Sequence, residues 1–276
     1  MAGLETLAHG YGLIEGPCVD ADGNLYFSDV PNGGVHRRSP DGEITLAVPK
    51  RRGVGGIVLH ADGGLVVGGR NLCHVVDGDT RVLFDPGVPL NDLTCDPQGR
   101  VVCGTLRMDP FNPGSAPEAG EAYRVGPDGG IDELYRGVRL TNGIAFSPDG
   151  TRAYHADTFA NHVICHDVDG DTYRNRRPLF ERPGFQPDGL AVDVDGVVWV
   201  ADYEAGCVRG LDPERNTEVG RVEVPSTAVT SVCFGGPGNL DLYITTADNT
   251  ERPERGGTIF RTRAEVPGVP VAAAVI

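Results

Sequence analysis

Short apolar runs alternate with glycine-bearing turns along the whole chain. Six times a polar or small residue opens an apolar run, a tight turn with glycine follows, and a second apolar run comes after it. The six segments are EGPCVDADGNLYFSDV, GGIVLHADGGLVVGGR, NDLTCDPQGRVVCGTL, NGIAFSPDGTRAYHAD, DGLAVDVDGVVWVADY and TSVCFGGPGNLDLYITTA. Each run alternates small or polar residues with β-branched or aromatic ones, and the Asp-Gly-type turn between two such runs predicts a hairpin. The turn glycines are Gly23, Gly63, Gly99, Gly150, Gly196 and Gly238, spaced 36 to 51 residues apart. A period of that size with several strands per unit predicts a propeller.

Between the hairpins lies weaker, more charged strand material such as VHRRSPDGEITLAV and VICHDVDGDTYRNRRPLF, as expected of outer, solvent-facing strands. The expected fold is therefore all-β: one six-bladed β-propeller over residues 1–276, with four-stranded blades around a central metal-binding channel. The initial LETLAHG and the final GGTIFRTRAEV would share one blade and close the ring. No helical periodicity of useful length appears. The Pro/Gly-rich segment 107–122 reads as a loop, and loops on a rigid scaffold often carry function.

Registering the repeats brings out the candidate chemistry. Eight residues before each turn glycine stand Glu15, Gly55, Asn91, Asn142, Asp188 and Thr230. The constant count gives them one structural position, the start of each inner strand, and hence a ring at one mouth of the channel. Any one of them alone reads as a strand cap or a turn residue. Together they supply two carboxylates and two carboxamides, an oxygen-only set that suits Ca²⁺, Mg²⁺ or Mn²⁺. Two converging carboxylates repel and raise a pKa unless a cation sits between them. The same register separates the two Asp-Gly pairs of QPDGLAVDVDG: Asp195-Gly196 is a hairpin turn, whereas Asp188 belongs to the ring.

Asp29, Asp157 and Asp202 recur after the second run of their repeats and read as blade-to-blade hydrogen-bond acceptors. His60 and His155 read as structural, with His155 an outside candidate for the pocket wall. A serine hydrolase is disfavoured by the absence of G-x-S-x-G.

Composition narrows the partners. The 276 residues carry a net charge of −15, which makes nucleic acid and anionic membrane poor partners and leaves a small-molecule substrate. Gly (40) and Pro (21) fit a turn-dense β domain. Seven cysteines without a C-x-x-C pair disfavour a disulfide framework or a cysteine zinc site; they read as small core residues in a reducing cytoplasm. No signal peptide or membrane span is evident at this level. The expected assembly is a monomer or a weak homo-oligomer.

The motifs EGP (15–17), LND (90–92), TNG (141–143) and PDG (187–189), with the turns that follow them, resemble the SMP-30/gluconolactonase/luciferin-regenerating enzyme family from Glu15 to about Ala247. The resemblance implies a six-bladed propeller lactonase with one divalent ion, Ca²⁺ first and Mg²⁺, Mn²⁺ or Zn²⁺ as alternatives. It implies Glu15, Asn142 and Asp188 as metal ligands, Asp188 also as the base, and Asn91 and Asp109 on the substrate side. An Arg often found two residues before N-D in that family is Pro89 here, which suggests a less hydroxylated lactone or ester. A divalent ion would polarise the ester carbonyl and activate water, and Asp188 would take its proton. Two other functions fit the same pattern: a phosphotriesterase-type hydrolase on the same site, and a non-catalytic binding propeller with a structural metal.

Overall fold

A computed structural model of the chain describes residues 3–109, 112, 114 and 118–276. The alternating apolar runs form strands because their β-branched and aromatic side chains pack on both faces of each sheet. Strand β1 spans Glu5–Tyr11 and waits for its partners at the end of the chain. Blade 1 holds β2 (Ile14–Val19), β3 (Leu25–Asp29), β4 (Val35–Arg38) and β5 (Ile44–Val48). Blade 2 holds β6 (Ile57–Leu59), β7 (Leu65–Val67), β8 (Leu72–Val76) and β9 (Asp79–Phe84). Blade 3 holds β10 (Leu90–Cys95), β11 (Val101–Thr105), β12 (Gly120–Val125) and β13 (Ile131–Val138). Blade 4 holds β14 (Thr141–Phe146), β15 (Arg152–Asp157), β16 (His162–Asp169) and β17 (Thr172–Leu179). Blade 5 holds β18 (Pro187–Val192), β19 (Val198–Asp202), β20 (Cys207–Asp212) and β21 (Thr217–Glu223). Blade 6 holds β22 (Val229–Gly235), β23 (Asp241–Thr246), β24 (Gly257–Arg263) and, on its outer edge, β1.

The protein is thus an all-β, six-bladed propeller of four-stranded antiparallel sheets. Helical structure among the described residues is confined to 3-10 turns at Thr158–Ala160, Pro237–Asn239 and Pro253–Arg255. The ring closes as the sequence predicts: β1 pairs with β24, from Glu5 opposite Arg261 to Tyr11 opposite Gly257. The six inner strands β2, β6, β10, β14, β18 and β22 pack each against the next around the axis.

Six apolar clusters fill the six blade interfaces. Tyr154, Phe185 and Leu190 join blades 4 and 5, for example, and Val35, Val54 and Val67 join blades 1 and 2. Buried hydroxyls tie neighbouring blades at the end where the inner strands begin. Ser28 donates to the Val54 carbonyl (2.5 Å), Thr141 to Thr105 (2.7 Å) and Thr230 to Ile14 (2.5 Å). Asp29, Asp157 and Asp202 accept from Gly12, from Arg139 and Leu140, and from Gln186, all in segments arriving from the preceding blade. They are the blade-to-blade acceptors that their spacing suggests.

At the opposite end lie the hairpin turns, whose glycines all adopt positive φ, from 69° at Gly238 to 91° at Gly63. The carboxyl-terminal tail crosses this end. Val269 N–H donates to Val192 of blade 5 and Ala274 N–H to Leu59 of blade 2 (2.8 Å each). These blades face each other across the axis, and the five residue steps from Val269 to Ala274 can span about 17 Å when extended. Above the tail lies a cavity of ≈ 550 Å³, lined by inner-strand residues such as Cys18, Asp92, Ala145, Ala191 and Cys233. All seven cysteines are unbridged; Cys18 and Cys233 are half-buried in this wall and the other five are buried.

One expectation needs correction. The predicted loop 107–122 ends earlier, because Gly120 already opens β12; its residues 110, 111, 113 and 115–117 lie outside the described residues. Thr105 and Arg107 hold Glu121, donating to its carboxylate at 2.7 Å and 2.8–2.9 Å, and so fix the strand start. His155 is structural, as its place in a strand run suggests, and is not part of the pocket wall. It is fully buried between blades 3 and 4, 2.9 Å through Nδ1 from the Tyr135 hydroxyl, and burial pushes its pKa down to about 3.

The hairpin of blade 5 hangs on Asp193 rather than on Asp195. Asp193 is buried and accepts from the N–H groups of Asp195 (3.1 Å) and Val197 (2.9 Å) and from the Trp199 indole (2.9 Å). Removing it leaves these donors unpaired. Asp193→Ala should therefore cost about 1–3 kcal/mol in urea unfolding, and Asp195→Ala within about 0.5 kcal/mol of nothing.

Candidate active site

The ring residues reach the channel because the inner strands bulge where they begin. Pairing is regular below this level and breaks between Glu15 and Cys18, Leu90 and Leu93, Thr141 and Ile144, Pro187 and Leu190, and Val229 and Ser231. A bulge releases residues from the ladder and re-aims their side chains. In every blade but the third the residue after the ring position is small, since neighbouring backbones nearly touch. A Cβ on Gly143 would stand 2.5 Å from the Leu190 nitrogen, and one on Gly189 would collide with Ser231. Blade 3 alone carries a charged residue here, Asp92, which sits against Gly56 of blade 2.

A chain of hydrogen bonds fixes the amide side of the ring. Asn91 Nδ2 donates to the Thr141 carbonyl (2.7 Å) and to Asn142 Oδ1 (2.6 Å). Asn142 Nδ2 donates to Thr158 Oγ1 (2.8 Å), which donates to the Pro187 carbonyl (2.7 Å), one residue before Asp188. Asn142 is thereby held rigidly with its carbonyl oxygen set by two neighbours. Thr230 turns away to bond Ile14 and Thr245, and Gly55 has the Asn91 carbonyl packed against it.

The acidic side consists of Glu15 (9% exposed), Asp188 (5% exposed) and Asp92. Burial raises the Glu15 pKa well above the carboxylate range, and Asp188 and then Asp92 add repulsion. Burial raises Asp188 in the same way, with Asp92 reinforcing it. Asp92 is pushed up to about 7 by burial, opposed by the Leu93 N–H that it accepts. No ion pair among the described residues involves any of the three. Asp109 is exposed, on the loop after β11.

The donor set fits a hard divalent cation: two or three carboxylates without a counter-charge, and an amide oxygen held in place. Among the described residues no three His, Cys, Asp or Glu side chains by themselves form a metal-binding cluster. An ion held at this mouth would thus draw on Asn142 as well as on carboxylates.

Two residues escaped the register argument. Asp92 lies one place beyond the ring position, in the N-D pair, where four other blades have Gly and the fifth has Ser. Tyr203 follows Asp202 as Thr158 follows Asp157, and its phenol is raised by burial and by the fields of Asp188 and Glu15. Alignment on the second strands, rather than on the first, would have found it.

Fold and site together define a six-bladed propeller with an acid- and amide-lined channel mouth. Residues 13–248 match the SMP-30/gluconolactonase/LRE-like region, and the chain belongs to that family. It is 36% identical over 247 residues to the pentonolactonase XacC of Haloferax volcanii, covering 85% of this chain and 81% of that one. It is 33% identical over 265 residues to the 6-deoxy-6-sulfogluconolactonase of Pseudomonas putida, covering 88% of each. Among solved structures it superimposes on a luciferin-regenerating enzyme with a TM-score of 0.86 at 26% identity, over 100% of this chain and 99% of that one. These relatives support lactone hydrolysis and small-molecule substrates. No helix among the described residues is long and apolar enough to cross a membrane.

The raised carboxylates set a pH dependence. A group whose folded pKa lies above its unfolded value stabilises the fold below the unfolded pKa and loses that contribution as pH rises through the folded one. For Asp92 the window runs from 3.8 to about 7. Asp92 alone should take about 2–3 kcal/mol from the chelated protein between pH 4 and pH 8, a figure reduced for its partial exposure, and Glu15 and Asp188 act in the same direction. Asp92→Asn should flatten that slope in urea titrations at the two pH values.

Proposed function

We propose that the protein is a divalent-metal-dependent lactonase working at this mouth. The observation that carries the proposal is the placing of buried Glu15 and Asp188 and half-buried Asp92 with no Arg, Lys or His ion-paired to any of them among the described residues, beside an Asn142 oxygen fixed by Asn91. Such a cluster is costly unless an ion completes it. Glu15, Asn142 and Asp188 would hold the ion, with Ca²⁺ suiting the oxygen donors first and Mg²⁺, Mn²⁺ or Zn²⁺ as alternatives. When bound, the ion supplies Lewis-acid polarisation of the ester carbonyl and lowers the pKa of water.

The remaining work falls to the chain. Asp188 accepts the proton of the attacking water at its carboxylate, and Glu15 stays ionised. Asn91 acts chiefly on Asn142, whose oxygen it orients, and presents its own amide oxygen to the substrate side. Asp109, on the loop beyond β11, meets substrate hydroxyls from the rim. The tail across the far end of the channel keeps bulk water from reaching the carboxylates from below. The pentonolactone and sulfogluconolactone of the relatives' names favour a sugar lactone over the less hydroxylated ester that Pro89 suggests.

Chelated protein assayed on aldonolactones, aliphatic lactones and a phosphotriester, before and after each ion is restored, tests this reading. Turnover should return with an ion and be fastest on an aldonolactone. Asp188→Ala should lower kcat/KM at least about 10²-fold. No turnover with any ion on any lactone overturns the reading, and a phosphotriester outpacing every lactone would move it to the other hydrolase class.

A further inference from the structure

The mouth is crowded with acceptors. Glu15, Asp92 and Asp188 offer only oxygen lone pairs when ionised, and both hydrogens of the Asn91 amide are committed to Thr141 and Asn142. Lactone opening expels an alkoxide from the acyl carbon. Expulsion beside three carboxylates is unfavourable unless a hydrogen-bond donor meets the departing oxygen.

Tyr203 is placed to be that donor. In blade 4, Thr141 pairs with Asp157, and the next residue on β15's side, Thr158, touches the ring residue Asn142. In blade 5, Pro187 pairs with Asp202 in the same register, so Tyr203 takes the place beside Asp188 that Thr158 takes beside Asn142. Its backbone is fixed there by the bond from Tyr203 N–H to the Gln186 carbonyl (2.9 Å). The Asp202 side chain turns away to Arg209 (2.7 Å) and Gln186, so it is Tyr203, the next residue, that comes near Asp188 and Glu15. Asp188, Glu15, Asp248 and Glu204 are the charged groups around its phenol. The ring is half-buried, and no described residue hydrogen-bonds its hydroxyl. By contrast, Tyr135 is paired with His155 and Tyr26 with Asp20.

We propose that Tyr203 is a catalytic residue whose hydroxyl donates to the ring oxygen of the lactone as it leaves. This rests on the lactonase reading above. The water oxygen bonds to the acyl carbon and its proton passes to Asp188. The acyl carbon–ring oxygen bond breaks, and the leaving oxygen takes the Tyr203 proton to become the alcohol of the open-chain hydroxy acid. Tyr203 is reprotonated from solvent, and the proton on Asp188 leaves to solvent, so the enzyme is restored with one water consumed.

Leaving-group dependence tests the assignment in the ion-loaded enzyme. Tyr203→Phe and wild type are compared on an aliphatic lactone, whose alkoxide needs a proton, and on the aryl lactone dihydrocoumarin, whose phenolate leaves unaided. The expected result is a kcat loss of about 10²-fold on the aliphatic lactone, less than about 3-fold on the aryl lactone, and little change in KM. Terbium luminescence, with Tb³⁺ standing in for the ion, supplies a readout independent of turnover. Affinity should stay within about 2-fold, while emission excited through tyrosine falls in Tyr203→Phe because a near donor is lost. Equal losses on both lactones, no loss on either, or a collapse of Tb³⁺ affinity overturns the assignment and leaves the lactonase reading standing. Wild type that opens neither of these lactones overturns the assignment, and the lactonase reading falls with it only if aldonolactones are not opened either.

Discussion

Like charges held close together at the neck of a channel are the constraint around which this molecule is built. Glu15, Asp92 and Asp188 come from blades 1, 3 and 5, and nothing local in the chain brings them together. They meet because the inner strands close so tightly that Gly143 and Gly189 stand where any larger residue would collide with the next blade. The repulsion is therefore a property of the closed ring, and the closure must be strong enough to sustain it.

That strength is distributed. Six apolar interfaces hold the blades, the pairing of β1 with β24 ties the two ends of the chain, and threonine and serine hydroxyls latch neighbouring blades just beside the site. The tail braces blade 5 against blade 2 at the other end. Bulges at the strand starts turn this stiffness to use, since they aim side chains inward at one level while the ladders below stay regular. Rigid placement of this kind is what the proposed ion site would require, since its ligands could not relax apart, and it holds Asn91 at a fixed position beside Asn142.

Much of this was legible in the sequence because the repeat supplies a ruler. Counting back from Gly23, Gly99, Gly150 and Gly196 identified Glu15, Asn91, Asn142 and Asp188 as one structural level, and the hairpins and the shared closing blade followed from the same count. The ruler failed where position alone does not decide. Asp92 lies one step off the ring level and is read only when the bulge in β10 is seen to turn it inward. Tyr203 sits on a second strand, which the count did not register. Asp193 holds its turn through a buried carboxylate, although Asp195-Gly196 carries the familiar turn signature.

The central claim is that the buried carboxylates and Asn142 form one divalent-ion site. Calorimetric titration of chelated protein with Ca²⁺ at neutral pH, alongside Glu15→Gln and Asp188→Asn, tests it most directly. A single site in the wild type, abolished or weakened at least about 10-fold in each variant, is the predicted result. Binding that survives both substitutions, or no binding of Ca²⁺, Mg²⁺, Mn²⁺ or Zn²⁺ by the wild type, would contradict it.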